Sequence, residues 1–274
     1  MTCKKVCGSA ANIHVRRSAL FIIVLFTFMR PVSADQVIEL NTRPQVIQQF
    51  LLIEHPDPIA NVILFAGGKG KLKLNEGWLR RRGNNFLVRT RKDLAALGFT
   101  VALLNAPSDR QGAQGMFGGF RGSKEHAQDI DGVVSYLKAL NDAAVWLVGT
   151  SRGTESAANG AIRLQGNING LVLTASVTEP NNKGVELPRM DLATITVPTL
   201  IISHKDDKCR VTPPEGSEKI KAGLTRAPEV VIKYFAGGKD PFLDSCKGLS
   251  PHGFYGIERE VISEIAAFIT RNSR

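Results

Sequence analysis

The chain has 274 residues, of which 43% are hydrophobic and 22% are charged, and this composition excludes a disordered or fibrous protein. The length suits one large α/β domain or two small ones. Thirty-five Lys and Arg residues against 25 Asp and Glu residues give a net charge of +10, which by itself indicates a polyanionic partner.

Residues 1–34 are typical of a secretory signal peptide. Four Lys and Arg residues precede the apolar run 19–29 (ALFIIVLFTFM), and small side chains lie before Ala34. This order of basic, apolar and small-residue segments predicts cleavage after Ala34. An uncleaved membrane anchor is the alternative, but the run is shorter than the roughly 20 residues that cross a bilayer.

Cleavage would change the meaning of the charge. The mature chain, residues 35–274, loses five basic and no acidic residues, so its net charge falls from +10 to +5. Of the four cysteines only Cys209 and Cys246 remain. A lone pair of cysteines in an exported protein favours a disulfide.

The mature chain has no internal repeat or low-complexity linker, and we expect one domain over residues 35–274. In chain order the predicted elements are strands at 36–40, 48–54 and 60–66, a helix at 86–97, a strand at 100–104, a helix at 124–140, a strand at 145–148, a helix at 152–164, strands at 170–175 and 199–203, a helix at 214–222, a strand at 229–235 and a helix at 257–270. Apolar strands that alternate with helices predict a largely parallel sheet with helices on both faces. Ligand sites in such sheets lie at the carboxyl ends of the strands.

A nucleophile candidate follows the predicted strand 145–148. The chain reads Gly149-Thr150-Ser151-Arg152-Gly153, a G-x-S-x-G pattern between a strand and a helix. The turn is so sharp that only small residues fit beside the serine, whose hydroxyl is then exposed above the sheet. The pattern predicts Ser151 as a nucleophile, with an ordinary strand-to-helix turn as the alternative.

A serine needs a histidine to accept its proton and an acid to orient that histidine. Of the four histidines after Ala34, His252 alone lies downstream of both the serine and an acid at a strand end, and we predict it to be the general base. We expect His55 and His126 to be surface or capping groups and His204 to belong to a turn.

The acid has three candidates. The predicted strand 199–203 is followed by Asp206 and Asp207, of which Asp207 is the first choice and Asp206 the close second. Glu179, after the preceding strand, is a weaker third option. Each of them is otherwise an ordinary acidic residue of a loop.

The elbow GTSRG, the order Ser151, Asp207, His252 and the His-Gly-Phe loop before a terminal helix resemble the α/β-hydrolase superfamily over about residues 36–271. The resemblance implies a three-layer fold with an eight-stranded, mostly parallel sheet whose first strands are antiparallel. It also implies hydrolysis through an acyl-enzyme, in which Ser151 attacks a carbonyl, His252 shuttles the proton and Asp207 fixes the imidazole.

The resemblance further implies an oxyanion hole made of two backbone N–H groups. One is that of Arg152, next after the nucleophile, and the other comes from the glycine-rich loop after strand 60–66, at Gly68 or Lys69. The segment GGKGKL lacks the spacing and the hydroxyl of a phosphate-binding P-loop. We expect no cofactor and no metal ion, because two cysteines without a nearby pair of histidines do not complete a zinc site.

The mechanism brings the acid and histidine loops together, which makes a disulfide between Cys209 and Cys246 plausible. The two dozen residues between strands 170–175 and 199–203 leave no room for a large cap domain. The loop 107–122 is a candidate border of the site, and Met116, Phe117 and Phe120 are candidate acyl-pocket residues. An ordinary glycine-rich surface loop is an equally good interpretation.

These features predict an exported serine hydrolase, periplasmic or secreted, that acts on a small ester or related acyl substrate. A peptidase of the same fold is one alternative. The other is a non-catalytic protein of this fold with a basic, anion-binding face. After cleavage we expect neither a nucleic-acid partner nor a membrane span.

Overall fold

The computed structural model describes residues 1–2, 35–74, 83–241 and 245–273. By its internal contacts the chain divides into two units, residues 1–31 and 32–274, and the strands and helices named below all belong to the second. The predicted signal peptide lies almost wholly outside the described residues. None of the described helices is both long enough and apolar enough to span a membrane.

Eight strands form one sheet. They are β1 (Gln36–Arg43), β2 (Val46–Ile53), β3 (Ala60–Phe65), β4 (Phe99–Leu104), β5 (Val145–Thr150), β6 (Gly170–Thr174), β7 (Thr199–His204) and β8 (Val230–Phe235). Their spatial order is β1-β2-β4-β3-β5-β6-β7-β8. The pairs β1–β2 and β2–β4 are antiparallel and all the others are parallel, as the resemblance implies.

Five α-helices are described in the same unit. They are α1 (Phe86–Ala96), α2 (Lys124–Leu140), α3 (Gly153–Arg163), α4 (Gly216–Gly223) and α5 (Glu258–Asn272). All five were expected from the sequence, and α2 has the predicted bounds. Helices α1 and α5 cover one face of the sheet, and α2, α3 and α4 cover the other. The three-layer arrangement is therefore confirmed.

The strands carry apolar side chains on both faces because helices cover both. In β3, Val62 and Leu64 pack in the core beneath α1 and α5, whereas Ile63 and Phe65 pack in the core beneath α2 and α3. This alternation follows from the two-residue period of a strand. Residues 175–198, between β6 and β7, contain only two short 3₁₀ turns, so no large cap is inserted there.

The prediction that His126 is a surface or capping group is wrong. Its side chain is buried in α2, with its ring centroid 5.4 Å from that of Phe120 and 6.3 Å from that of Phe65. Neither ring nitrogen has a hydrogen-bond partner among the described residues. Burial, assisted by Arg121 and Arg43, holds the pKa of His126 well below 6.5.

This buried histidine predicts a pH-dependent stability. His126 is neutral in the folded protein, whereas a histidine in an unfolded chain takes up a proton near pH 6.5. The unfolded state therefore binds more protons below that pH, and the free energy of unfolding falls by up to about 1.4 kcal/mol per pH unit as the pH drops. At about pH 7.5 and above this loss of stability is absent, because the histidine of the unfolded chain is then neutral as well.

We expect His126→Leu to remove that pH dependence, and urea unfolding at about pH 7.5 and about pH 5.5 measures it. His55→Gln, in the loop after β2, is the control. If the free energy of unfolding falls equally between the two pH values in wild type and in His126→Leu, then His126 is not the group responsible.

Candidate active site

Ser151 occupies the turn between β5 and α3. Its φ is 52°, in the left-handed region that residues other than glycine seldom adopt. Its N–H donates to the carbonyl oxygen of Thr174 in β6, and its own carbonyl accepts from the N–H of Thr154 in α3, each at 2.9 Å. These bonds hold the serine at the carboxyl edge of the sheet with its side chain partly exposed.

Three glycines leave the space that this turn needs. A Cβ atom on Gly153 would lie 1.9 Å from the carbonyl oxygen of Phe65, and one on Gly149 would lie 2.6 Å from that of Gly153. A Cβ atom on Gly67 would lie 3.0 Å from the Cβ atom of Ser151. Close backbone approach therefore requires both glycines of the G-x-S-x-G motif, and Gly67 keeps space beside the serine.

Three backbone N–H groups, in the glycine-rich loop and in the serine turn, are candidate donors to a substrate oxygen. The N–H groups of Gly68, Lys69 and Arg152 have no acceptor among the described residues. Gly68 and Arg152 line a cavity together with Ser151. This placement agrees with the arrangement expected of an oxyanion hole.

Arg121, which the sequence analysis did not identify, holds the glycine-rich loop from below. One Nη atom donates to the carbonyl oxygens of Ala66 at 3.0 Å and Gly68 at 3.2 Å, and the other donates to Oγ of Ser156 in α3 at 2.7 Å. Because a trans peptide directs its C=O and N–H oppositely, holding the Gly68 carbonyl turns the Lys69 N–H away from Arg121.

Burial lowers the pKa of Arg121 to about 10, so the guanidinium stays charged at neutral pH. The only sequence signal was an arginine within the loop 107–122, where nothing distinguishes it from a solvent-exposed basic residue.

Asp207 and His252 meet as predicted. Oδ2 of Asp207 accepts from Nδ1 of His252 at 2.9 Å and from Oγ1 of Thr212 at 2.9 Å, while Oδ1 accepts from the N–H of Cys209 at 2.9 Å. Both Asp207 and His252 are 6% exposed. An Nδ1–H directed at the carboxylate leaves Nε2 as the basic nitrogen.

Thr212 was also missed by the sequence analysis. Its hydroxyl lies 2.9 Å from Oδ2 of Asp207 and 3.1 Å from Nδ1 of His252. A threonine five residues after an aspartate gives no sequence signal of this contact.

The histidine loop is fixed by backbone packing. His252 lies in the 3₁₀ turn Pro251–Gly253, and a Cβ atom on Gly253 would lie 2.1 Å from the carbonyl oxygen of Gly248. The guanidinium of Arg89, in α1, donates to the Gly253 carbonyl. The backbone next to His252 is thereby bonded to α1, and the imidazole itself is bonded to Asp207.

The other candidates lie apart from His252. Asp206 is exposed, and its nearest histidine is His204, with 3.9 Å between carboxylate oxygen and ring nitrogen. Glu179 pairs with Lys219 at 2.6 Å. The ring of His55 makes a hydrogen bond within its own loop. Of the two adjacent aspartates, Asp207 is the one that bonds to His252.

A disulfide joins the acid and histidine loops. Cys209 and Cys246 are bridged, with 4.7 Å between their Cα atoms and a sequence separation of 37 residues. Closing a loop of this length contributes about 4 kcal/mol in the chain-entropy model. No cluster of three or more metal-binding side chains occurs among the described residues.

Ser151 lines two adjoining cavities. A small one of about 60 Å³ contains Ser151, His252 and Asn85 in its wall. A larger one of about 510 Å³ extends from Ser151 past Phe117. No hydrogen bond joins Ser151 to His252 within the described part of the chain, and such bonds are often long before substrate binds.

One of the three candidate acyl-pocket residues in the loop 107–122 borders the site. Phe117 lines the larger cavity. Met116 and Phe120 are buried in a separate cluster with Ala106, so the expectation that they line an acyl pocket is wrong. Their side chains anchor the loop instead.

No family model matches the sequence, and no curated protein matches it. Solved structures do match its fold. An esterase from Pyrococcus furiosus superposes with a TM-score of 0.63 at 14% identity, over 88% of this chain and 93% of the esterase. A cold-adapted esterase from an Arctic intertidal metagenomic library gives 0.60 at 13% identity, over 88% and 94%.

Dipeptidyl peptidase 4 from Porphyromonas gingivalis gives a TM-score of 0.63 at 13% identity, over 88% of this chain and 36% of the peptidase. Likeness at this identity shows a common fold. The eight-stranded sheet and these neighbours establish that the chain has the α/β-hydrolase fold.

Proposed function

We propose that this chain of α/β-hydrolase fold is an exported serine hydrolase that cleaves an ester or related acyl bond. One observation carries the proposal. Ser151 at the strained turn and His252, bonded through Nδ1 to the buried Asp207, line one small cavity. A nucleophile, a base and an acid in this relation are the parts of covalent acyl transfer.

The proposed reaction has two steps. Oγ of Ser151 attacks the carbonyl carbon while Nε2 of His252 takes the serine proton. The bond from carbon to the leaving oxygen then breaks, and His252 gives its proton to that oxygen, which releases the alcohol. Water then attacks the acyl-enzyme carbonyl with His252 again as base. The bond from that carbon to Oγ breaks, His252 returns the proton to Oγ of Ser151, and the carboxylic acid is released. Throughout, the carboxylate of Asp207 stabilises the imidazolium.

The negative charge of each tetrahedral intermediate needs donors. The N–H of Arg152 and that of Gly68 or Lys69 are proposed for this role, since they have no partner among the described residues. Removing one such donor typically costs about 3 kcal/mol of transition-state stabilisation. Arg121 orients the N–H of Lys69 through the Gly68 carbonyl that it holds.

Export is part of the proposal and depends on residues 1–34. The disulfide between Cys209 and Cys246 supports it, because such bonds persist in oxidising compartments.

The first prediction concerns the nucleophile. We expect a fluorophosphonate probe to label the mature protein covalently and Ser151→Ala to abolish labelling, because only an activated serine reacts. Gel fluorescence measures the labelling, and circular dichroism establishes that the variant is folded. Folded wild-type protein that resists the probe would support the non-catalytic alternative.

With labelling established, 4-nitrophenyl esters and an aminopeptidase substrate assayed together distinguish an esterase from a peptidase. Turnover of the amide alone would favour the peptidase.

The second prediction uses the adjacent aspartates as a matched pair. Asp207→Asn should lower kcat by about 10³- to 10⁴-fold, because an amide no longer fixes the reactive tautomer of His252. Asp206→Asn makes the same chemical change one residue away, on an exposed side chain, and should keep near-wild-type kcat. Equal losses in the two variants would argue against Asp207 as the acid.

The third prediction concerns maturation. Protein recovered from the export compartment should have the intact mass of residues 35–274 less two hydrogens, and iodoacetamide should not alkylate it until a reductant is added. The cytosolic form, kept reduced, is the comparison. A mass that includes residues 1–34, or two free thiols in the recovered protein, would contradict export with oxidation.

A further inference from the structure

The cavity of about 510 Å³ beside Ser151 has a cationic wall. Among its lining residues, four carry positive charge and none of the described ones is acidic. The four are Arg152, Lys183, Arg210 and Lys247. A volume of this size accommodates a small organic molecule, so the charge faces a space in which a substrate fits.

The disulfide joins the two segments that carry two of these cations. Arg210 follows Cys209 and Lys247 follows Cys246, and the two cysteine Cα atoms are 4.7 Å apart. The bridge between the acid and histidine loops therefore also sets the basic rim of the cavity.

Partly exposed hydrogen bonds order the segment of the rim that carries Lys183. Oδ1 of Asn181 accepts from an Nη atom of Arg152 at 2.6 Å and from the backbone N–H of Lys183 at 3.0 Å. The carbonyl of Lys183 accepts from the N–H of Gly118 at 3.1 Å. The backbone of Lys183 is thus held in place by hydrogen bonds of both its N–H and its carbonyl.

Three cations surround one aromatic ring at this point. The ring centroid of Phe117 lies 5.5 Å from Nζ of Lys183, 5.6 Å from Cζ of Arg152 and 6.0 Å from Nζ of Lys69. Each contact with the ring is favourable, and the three contacts gather positive charges around one ring, where like charges repel one another. An anion bound between them would relieve that repulsion.

The described carboxylates nearby offset only part of this charge. Glu155 pairs with Arg152 at 3.1 Å and lies close to a second guanidinium, that of Arg121. Glu179 is paired with Lys219. Lys183 and Arg210 form no ion pair with any residue that the structure describes.

We propose that the substrate carries an anionic group, a carboxylate or a phosphate, that binds between Lys183, Arg210 and Arg152 while its ester carbonyl lies at Ser151. This inference rests on the proposed hydrolase function. A planar guanidinium binds a carboxylate or phosphate through paired N–H donors, and a cationic cleft concentrates such substrates. The anionic group belongs to either the acyl part or the alcohol.

Two matched pairs of substrates test the proposal. For the acyl part, the 4-nitrophenyl half-ester of adipic acid is compared with the same ester methylated at its free carboxyl. For the alcohol, 4-acetoxybenzoate is compared with 4-acetoxybenzamide. We expect the anionic member of at least one pair to have a kcat/KM on the order of tenfold higher, because each partly exposed ion pair contributes about two- to fivefold.

The double variant Lys183→Glu/Arg210→Glu should lower the anionic-to-neutral ratio of kcat/KM at least tenfold. Lys138→Glu, which reverses one charge where the double variant reverses two, is the control for charge reversal away from the cavity and should keep the ratio. Lys138 lies in the last turn of α2, which leads into the amino end of β5 and therefore lies at the opposite edge of the sheet. The wild-type preference should also shrink in about 0.5 M salt, because salt screens exposed charges.

Labelling of Ser151 by an uncharged fluorophosphonate separates failure of the subsite from failure of the hydrolase function. Labelling together with equal kcat/KM for both members of both pairs would overturn the anionic subsite and leave the hydrolase proposal standing. An equal fall of the ratio in Lys138→Glu would also overturn the subsite, since net charge alone would then explain the preference. Absence of labelling in folded protein would overturn the proposed function itself.

Discussion

The left-handed backbone at Ser151 is the constraint on which the site depends. Its φ of 52° is available to a serine only where the surrounding structure forces it. The force comes from backbone-to-backbone packing, since α3 approaches β3 so closely at Gly153 that a Cβ atom would collide with the Phe65 carbonyl. Helix and sheet would have to separate to relax the turn. The exposed hydroxyl is therefore a consequence of how α3 packs on the sheet.

The acid side of the site is built on a different principle. Asp207 is buried, and its two oxygens accept from three donors. Among the described residues, its one titratable hydrogen-bond partner is His252. Four cations instead line the larger cavity, whose wall includes both cysteines of the disulfide. The disulfide thus joins the segment of the carboxylate that bonds the imidazole to part of the basic wall of the cavity.

Much of this fold could be predicted from the sequence because its elements carry strong local signals. Helix α2 has apolar residues at helical spacing and a serine cap, Ser123, before it, and its bounds were predicted to the residue. His126 lies four residues before Ile130 on the same helical stripe, so periodicity alone placed it on the buried face. The polar residue type predicts a surface position, but the packing of this stripe against the sheet buries the side chain.

What the sequence by itself determined is local or ordered along the chain: the alternation of strands and helices, the G-x-S-x-G turn, and the succession of Ser151, Asp207 and His252. Tertiary structure alone decided which of two adjacent aspartates faces His252, because neighbouring loop residues differ only in the direction of their side chains. It also decided that Arg121 and Thr212 support the site, through contacts between segments far apart in sequence. The positive charge is likewise determined partly by the sequence and partly by the tertiary structure. Sequence gives the net excess of basic residues, whereas only the packing of separate loops gathers four of them around one cavity beside Ser151.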